Sequence, residues 1–386
     1  MTDTLTVRSA RYDDTPLLDQ ALSADPDGTE HLQIGFATPL SRTLVATSGG
    51  AIRGCLHLQA RPTPQRWEAH ITALRGADDT TTAQLIARAD REAAILGARA
   101  LIDRQRRGFL RELGFGPHGE RPVRFGADGP LAQRFLRSAA RAANAVAAVV
   151  AQHRPTTGPL DPADKRLDLT AEQTAAATLQ DLGIAILSEE RGHLGAPLDP
   201  HGPWISLDPI DGTRNCLRGY PPWAISVGLI DDGRPIAGLV VDLCTGQRWW
   251  TAPELGAHVD GLPARPRPDG LLILPSTNPG AVPELSEVDG LHRLRVAGAT
   301  AIDLCRVADG SAGAFLDTHR AISQAHDISA ATAVIAAAGA TILDADTAAP
   351  PTFDPLEPER HYHLVAAATE RQARQLLEDQ RPVEPV

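Results

Sequence analysis

The sequence predicts a mixed α/β (α+β) protein with two domains, residues 1–126 and 127–386. At 386 residues the chain is longer than one hydrophobic core usually organises. Apolar runs of strand length alternate with segments of helical period along the chain, a pattern typical of mixed α/β folds. The glycine- and proline-containing segment Phe125–Pro130 interrupts this pattern, and we interpret it as the link between the domains.

The composition excludes several kinds of protein. Hydrophobic residues make up 42% of the chain, yet no apolar run approaches the ~18 residues that a membrane span needs. The net charge of -11, without a basic face, argues against a nucleic acid polymer as partner. The cysteines form no zinc or disulfide pattern, and the N-terminus lacks the apolar region of a signal peptide. We therefore predict a cytoplasmic protein without a membrane partner.

The first domain is predicted to combine several strands with one long helix. Apolar residues recur at helical spacing over Thr82–Leu96, and Gly97 ends that helix. A shorter helix is predicted over Thr15–Leu22. The predicted strands are Thr4–Arg11, Thr43–Thr47, Ala51–Ala60 and Ala98–Asp103.

This order of elements resembles the GNAT acetyltransferase family. The resemblance is carried by Arg75-Gly76 before the long helix, Leu96–Arg99 after it, and Phe109–Phe115. It implies an α/β domain with a coenzyme A site, in which a glycine-rich loop at a helix start holds the pyrophosphate.

Three residues depart from the pattern of that family. Asp78 and Thr80 stand at glycine positions of the loop, where a carboxylate would repel a pyrophosphate. Leu110 stands where the family has a tyrosine that acts as an acid. We therefore expect a GNAT-like domain without acetyltransferase activity, which serves packing, dimerisation or substrate gating.

The second domain is predicted to begin with the amphipathic helix Leu131–Gln152. Another helix is predicted over Thr170–Asp181, with Thr170 as its N-cap. The buried strand Ile184–Leu187 delivers Glu189 just beyond its end. The remaining predicted strands are Ala224–Ile230, Ile236–Val241, Gln247–Ala252, Leu271–Leu274 and Gly313–Leu316, and the remaining helices are Ala301–Ala308 and His326–Ala338.

Acidic residues follow several of these elements. Asp208 and Asp211 lie on a short proline-bearing segment that leads into Gly212 and stands between two apolar runs. Taken alone, this segment is typical of an ordinary turn. Glu189 at a strand end and Asp327 at a helix start add oxygen donors from separate elements, and such donors suit a hard cation such as Mg²⁺.

Four segments of the second domain resemble the inositol monophosphatase superfamily. They match in order and spacing, and the resemblance covers about residues 130 to 375. It implies a layered αβαβα sandwich and a Mg²⁺-dependent phosphatase acting on a small-molecule phosphate monoester. The segments are ILSEE (Ile186–Glu190), WISLDPIDGTRN (Trp204–Asn215), PPWAISVGLI (Pro221–Ile230) and HDISAATAVIAAAGA (His326–Ala340).

The resemblance also implies roles for single residues. Thr213 would hydrogen-bond the attacking water, and the N–H groups of Gly212 and Thr213 would receive the phosphate. Two ions would activate the water and neutralise the leaving oxygen, without a covalent enzyme intermediate. The implied ligands are Glu189 and the Ile210 carbonyl for the first ion, Asp208 between both ions, and Asp211 with Asp327 for the second.

Two positions differ from the superfamily pattern. Gln173 stands where the aspartate of a third metal site is expected, with Glu172 adjacent as a substitute, so we predict two ions and leave the third open. Arg320 stands where inositol phosphatases carry a glutamate for ring hydroxyls, and His326 replaces the aromatic residue before Asp327. A cation at position 320 favours a substrate with a carboxylate or a second phosphate.

The sequence leaves the substrate and two other functions open. A sugar phosphate, a nucleotide and an amino-alcohol phosphate all satisfy the predicted site. The first alternative to a phosphatase is a binding or assembly protein without turnover. The second is a bifunctional acetyltransferase and phosphatase. We expect a homodimer in each case.

Overall fold

The computed structural model describes residues 4–10, 14, 18, 40–103, 105, 107–153, 155, 165–268, 270–274, 291–318 and 322–379. The chain forms two compact units, Met1–Arg141 with Asp260–Leu262 and Ala142–Val259 with Pro263–Val386. Among the described residues, no helix combines the length and hydropathy that crossing a membrane would need.

The first unit is built on a six-stranded sheet in the order β1-β2-β3-β4-β5-β6. Neighbouring strands are antiparallel except β4 and β5, which are parallel because a helix crosses from one to the other. The strands are β1 (Thr6–Ser9), β2 (Ser41–Ser48), β3 (Ala51–Pro62), β4 (Trp67–Gly76), β5 (Ala100–Asp103) and β6 (Glu120–Pro122).

The crossing helix spans Asp79–Ile95 and packs its apolar face on the sheet. It begins earlier than predicted because Asp78 is the N-cap, and its carboxylate accepts a hydrogen bond from the Thr81 amide at 2.7 Å. The prediction missed β4 altogether, although its sequence alternates apolar and polar residues at the period of a strand. Of the helix predicted over Thr15–Leu22, all residues but Leu18 lie outside the described ones.

The second unit contains an eight-stranded sheet in the order β14-β13-β12-β11-β10-β9-β7-β8. Its central strands, β9 and β10, are antiparallel and buried on both faces because helices pack on each side. The strands are β7 (Ala185–Ser188), β8 (Gly192–Gly195), β9 (Trp204–Asp211), β10 (Ala224–Asp231), β11 (Arg234–Asp242), β12 (Arg248–Ala252), β13 (Gly256–Val259) and β14 (Leu262–Pro263).

A five-stranded sheet forms the other half of this unit, in the order β16-β15-β17-β19-β18. The sheet is mixed, because β15 pairs in parallel with β16 and β17, whereas β19 pairs antiparallel with β17 and β18. The strands are β15 (Gly270–Leu274), β16 (Leu291–Val296), β17 (Ala314–Asp317), β18 (Thr341–Asp344) and β19 (Leu364–Ala367).

Helices separate and cover these two sheets. Helix Lys165–Leu179 packs on the outer face of the eight-stranded sheet, and Glu370–Asp379 covers the five-stranded sheet. Thr300–Asp309 and Ala325–Ala338 lie between the sheets, where Ile302, Val334 and other side chains form a fully buried core. The layers therefore follow the αβαβα order that the resemblance implies. The other helices of the described residues are Leu131–Val150 and the short Gly108–Leu113, Gln180–Leu182 and Thr213–Arg218.

The predicted start of one helix was wrong. Thr170 is not an N-cap, because the helix already begins at Lys165. The Thr170 hydroxyl instead donates to the carbonyl of Arg166, one turn earlier, at 2.6 Å. The helix therefore includes Asp168 in its first turn, and that residue is buried.

Candidate metal centre

A β-bulge in β9 brings two of the predicted ligands to one side of the sheet. Asp208 lies opposite Ser226 and Asp211 lies opposite Ala224, so β9 holds one residue more than β10 between these pairs. In a regular strand, residues three apart point to opposite faces. The extra residue cancels this alternation, and Pro209 suits such a bulge because it has no N–H to donate to the sheet.

Three carboxylates converge at this bulge. One oxygen each from Asp208, Asp211 and Asp327 lies within 4.8 Å of the other two. Asp208 and Asp211 are 1% and 6% exposed, so water cannot screen their mutual repulsion well. Asp327 comes from the first turn of helix Ala325–Ala338, where the Gln324 amide donates to it at 2.6 Å.

Burial raises the pKa values of these three carboxyl groups. Burial raises the pKa of Asp208 well above its ordinary value, and the charges of Glu189, Asp211 and Asp327 raise it further. Burial, and then the charge of Asp327, likewise raises the pKa of Asp211. Burial raises the pKa of Asp327 to about 6. A divalent cation among oxygen donors would offset this repulsion.

Glu189 stands beside the cluster, at the end of β7. Its carboxyl group is hydrogen-bonded to that of Asp208. Part of its side chain remains exposed, yet desolvation by the surrounding protein raises its pKa, and His326 partly offsets that effect. The turn that carries Glu189 is fixed by the buried Glu172, whose Oε2 accepts from the amides of Glu190 at 3.2 Å and Arg191 at 3.0 Å.

Thr213 follows the bulge and meets a residue that the sequence analysis did not select. Its hydroxyl lies 2.9 Å from the Ile210 carbonyl and 3.1 Å from Oδ1 of Asp168, both of which can only accept its single hydrogen. Asp168 is 4% exposed and reaches the site from helix Lys165–Leu179. One signal could have indicated it, since Asp168 and Glu172 are four residues apart and share a helix face.

Gly212 turns the chain from β9 into the short helix Thr213–Arg218. Its φ is +86°, a backbone conformation that L-residues with a side chain rarely adopt. A Cβ at this position would lie 3.0 Å from the Gly298 carbonyl and 3.2 Å from the Pro222 carbonyl. The close approach and the positive φ both favour glycine at this turn.

Asp211 is held by a second helix of the unit. Its Oδ1 accepts from the Thr300 amide at 3.1 Å and its Oδ2 from the Ala301 amide at 2.7 Å. These are the first two residues of helix Thr300–Asp309, whose N-terminal dipole favours a negative charge. Sequence reasoning missed this contact because 89 residues separate Asp211 from Thr300.

Three other predicted positions have different outcomes. Gln173 is exposed on its helix. Arg320 lies outside the described residues, so the proposed cation near the substrate stays a prediction. His326 lies with its Nε2 3.8 Å from Asp327 Oδ1, and burial lowers its pKa.

The repulsion in this cluster predicts how pH and Mg²⁺ affect thermal unfolding. Because the folded-state pKa of Asp327 is raised, to about 6, its stabilising contribution is present at low pH and lost as pH rises through 6. A shift of this size is worth on the order of 2 kcal/mol. The loss begins near the ordinary pKa of 3.8, and about half of it falls between pH 5 and pH 7, so in EDTA we expect Tm to fall by roughly 2–4 °C over that range. Mg²⁺ should restore Tm at pH 7, as scanning calorimetry can measure.

The variant Asp327→Asn is the control for that experiment. It removes the ionising carboxyl, so we expect a smaller loss of Tm between pH 5 and pH 7 and a smaller gain from Mg²⁺. An identical Tm for the native chain in EDTA and in Mg²⁺ at pH 7 would contradict the interpretation of the cluster as a cation site.

Gly212→Ala tests the close approach at the turn, with Gly339→Ala as the matched control. Gly339 has φ +82° and no atom within 4 Å of the position that a Cβ would take, so its substitution adds only backbone strain. We expect each variant to lose about 1–2 kcal/mol of unfolding free energy from that strain. Gly212→Ala alone should also weaken Mg²⁺ binding, measured by calorimetric titration. Equal Mg²⁺ binding in both variants would contradict the role of this contact.

Comparison with known proteins identifies a family and several proteins to which the sequence of this chain is similar. A sequence profile of the inositol monophosphatase family matches residues 131–383. The inositol-1-monophosphatase ImpA of Mycolicibacterium smegmatis is 35% identical over 207 residues, which cover 49% of this chain and 71% of that protein. The fructose-1,6-bisphosphatase/inositol-1-monophosphatase of Methanothermobacter thermautotrophicus is 30% identical over 200 residues, which cover 47% of this chain and 70% of that protein.

A solved structure shares the fold of the second unit. The inositol monophosphatase from Anabaena (Nostoc) sp. superposes with a TM-score of 0.51 at 22% sequence identity. The match covers 64% of this chain and 96% of that one. At this identity the likeness concerns the fold alone.

Proposed function

The chain belongs to the inositol monophosphatase family and is a metal-dependent phosphatase of phosphate monoesters, and we propose that it binds two Mg²⁺ ions at the bulge of β9. The observation that carries the proposal is the convergence of Asp208, Asp211 and Asp327 on one point. Glu189 and the Ile210 carbonyl would hold one ion, Asp211 and Asp327 the other, and Asp208 both. Mg²⁺ bound there lowers the pKa of a coordinated water and neutralises charge on the leaving oxygen.

Thr213 would hold the attacking water. Its only hydroxyl hydrogen faces two acceptors, the Ile210 carbonyl and Asp168, so toward any third group Thr213 presents lone pairs. A water beside it therefore donates to Thr213, which orients the oxygen lone pair of the water for attack on phosphorus. Asp168 can take the Thr213 hydrogen as Thr213 takes that of the water.

The phosphate group would lie against the turn at Gly212. The amides of Gly212 and Thr213 would receive the phosphate, and the positive φ of Gly212 suits a residue without a side chain at this turn. Water attacks phosphorus directly while its proton passes through Thr213 to Asp168, and the bond to the ester oxygen breaks. The departing alkoxide takes a proton from solvent, so inorganic phosphate and an alcohol leave. No covalent intermediate with the protein forms in this scheme.

The substrate is proposed at the level of its class, a small-molecule phosphate monoester. Two relatives named for inositol monophosphate or fructose bisphosphate hydrolysis lie at 35% and 30% identity, which favours polyol and sugar phosphates as first candidates. Nucleotides and amino-alcohol phosphates remain candidates from the sequence. The homodimer and the cytoplasmic location also stay predictions.

A phosphate-release screen tests the proposal. It covers sugar phosphates, nucleotides and histidinol phosphate, each with Mg²⁺ present or chelated. We expect release from at least one ester, only with Mg²⁺. The absence of release from every ester would contradict the proposal and favour a binding or assembly protein without turnover.

For the first unit we propose a GNAT-like domain without acetyltransferase activity. The GNAT-like fold is supported by the parallel pair β4–β5, which a helix joins within an otherwise antiparallel sheet. Two observations support the proposed lack of acetyltransferase activity. The Asp78 carboxylate caps the helix start that would receive a pyrophosphate, and Leu110 is fully buried. Calorimetric titration with millimolar acetyl-CoA should give no binding, whereas binding would favour the bifunctional alternative.

A further inference from the structure

Asn215 makes an unusual set of contacts one turn beyond the phosphate-binding turn. Its side-chain nitrogen lies 2.8 Å from the Ala297 carbonyl, 2.9 Å from the Pro222 carbonyl and 3.4 Å from the Gly298 carbonyl. A carboxamide nitrogen carries two hydrogens, so the two short bonds use both. Because carbonyl oxygens only accept, the nitrogen end of the amide must face them.

These contacts fix one end of a short segment, Ala297–Ala301. Gly298 has φ +81°, and a Cβ there would lie 3.4 Å from the Asn215 nitrogen, so the side chain and the backbone are in direct contact. The other end of the segment is fixed by Asp211, whose two oxygens accept from the amides of Thr300 and Ala301. Two side chains four positions apart thus hold both ends of one segment.

The same segment closes over the phosphate-binding turn. The Gly298 carbonyl and the Ala299 Cβ lie 3.0 Å and 3.3 Å from the position of a Cβ on Gly212. Asp303, fully buried one turn into the helix, donates its own amide to the Ala299 carbonyl at 3.0 Å. The position of this segment therefore sets the position of the start of helix Thr300–Asp309. The amides of Thr300 and Ala301 can donate to Asp211 only when the segment is held there.

We infer that Asn215 is a positioning residue, which aims Asp211 at the metal by holding Ala297–Ala301 against the turn at Gly212. This inference rests on the proposed function, because it assigns Asp211 to a metal. An amide is required at position 215, since a hydroxyl has one hydrogen and a carboxylate has none for the carbonyls. An asparagine that served only the local turn would not need to donate one amide hydrogen to Pro222 and the other to Ala297.

The test compares Asn215→Leu with the native chain and with Asn144→Ala. Leucine keeps the size of asparagine without its donors. Asn144 is a buried asparagine of the same unit, whose side-chain oxygen accepts from Arg248 at 2.6 Å. The readouts are Mn²⁺ affinity, from the electron paramagnetic resonance of free Mn²⁺, and Tm in EDTA.

For Asn215→Leu we expect an Mn²⁺ affinity about tenfold weaker, because loss of a residue that orients a ligand typically costs 10- to 100-fold. Asn144→Ala should lower Tm without changing Mn²⁺ affinity. Asn215→Gln keeps the donors on a longer arm and should weaken binding by a smaller factor, which provides a second variant if Asn215→Leu fails to fold.

Two results would overturn the inference. One is Mn²⁺ affinity within twofold of native in both Asn215 variants, which would leave only a structural role. The other is an Asp211→Asn variant that binds Mn²⁺ as tightly as the native chain, which would remove Asp211 from the metal site. Failure of the proposed function would give another result, namely a chain that binds Mn²⁺ but releases no phosphate. The Mn²⁺ affinities of the Asn215 variants could still be compared with that of the native chain.

Discussion

We expect the variant Asp211→Asn to lower the rate of phosphate release by roughly a thousandfold, at the upper end of what losing one electrostatic group costs an enzyme. Two effects combine. The substitution removes a negative charge from the carboxylate cluster, which weakens its hold on a cation. It also replaces one oxygen by an amide group that cannot accept from the Thr300 or Ala301 amide, so the side chain loses a bond to the helix. Steady-state phosphate release in Mg²⁺ measures the effect.

Asp231→Asn is the matched control for Asp211→Asn. Asp231 ends the neighbouring strand β10 and is exposed, so its substitution also changes the net charge by one but leaves the cluster intact. We expect native rates from it. A native rate in Asp211→Asn would show that this carboxylate is not part of the catalytic site, whatever the activity of the chain.

The variant Asp168→Asn should lower the rate of phosphate release by about a hundredfold, a typical loss for an acid or base in proton transfer. Asparagine keeps the size of the side chain, but its amide cannot take a proton from Thr213. Since Asp168 is not assigned to a metal, Mn²⁺ affinity should stay near native. The combination of a large rate loss with unchanged Mn²⁺ affinity separates this effect from that of Asp211→Asn.

Thr213→Val completes a double-mutant cycle with Asp168→Asn. If the two residues act on one water, the double variant should be hardly slower than either single variant. Thr170→Val is the control, because the Thr170 hydroxyl only donates to a carbonyl of its own helix. Additive losses in the double variant would mean that Asp168 and Thr213 act independently.

The sequence could predict the chemistry of the site because the acidic residues are local signals. Asp208, Asp211 and Gly212 are adjacent in the chain, and Asp327 begins a helix that its alanine-rich pattern indicates. Much of the fold followed from the same kind of signal. The β2 and β3 predictions are confirmed to within two residues, since alternation and a glycine turn identify both.

What the sequence could not predict depends on contacts between distant residues. The meeting of Asp168 and Thr213 spans 45 positions, and no local pattern identifies a pair that far apart. The start of the helix that carries Asp168 was misplaced because Thr170 has the residue type of an N-cap, whereas its hydroxyl bonds backward to Arg166. Gln173, which was selected because the superfamily has an aspartate there, is exposed on that helix.

The bulge in β9 makes the spacing of two aspartates as decisive as their presence. Regular pairing with β10 at the present spacing would turn Asp211 to the opposite face of the sheet, although every acidic residue would remain in the chain. A change of one residue between the aspartates has to be matched by loss of the bulge, because residues two apart share a face only where the strand is regular. A homologue with one residue between its aspartates should therefore pair this strand without a bulge, whereas one that keeps both intervening residues should keep the bulge.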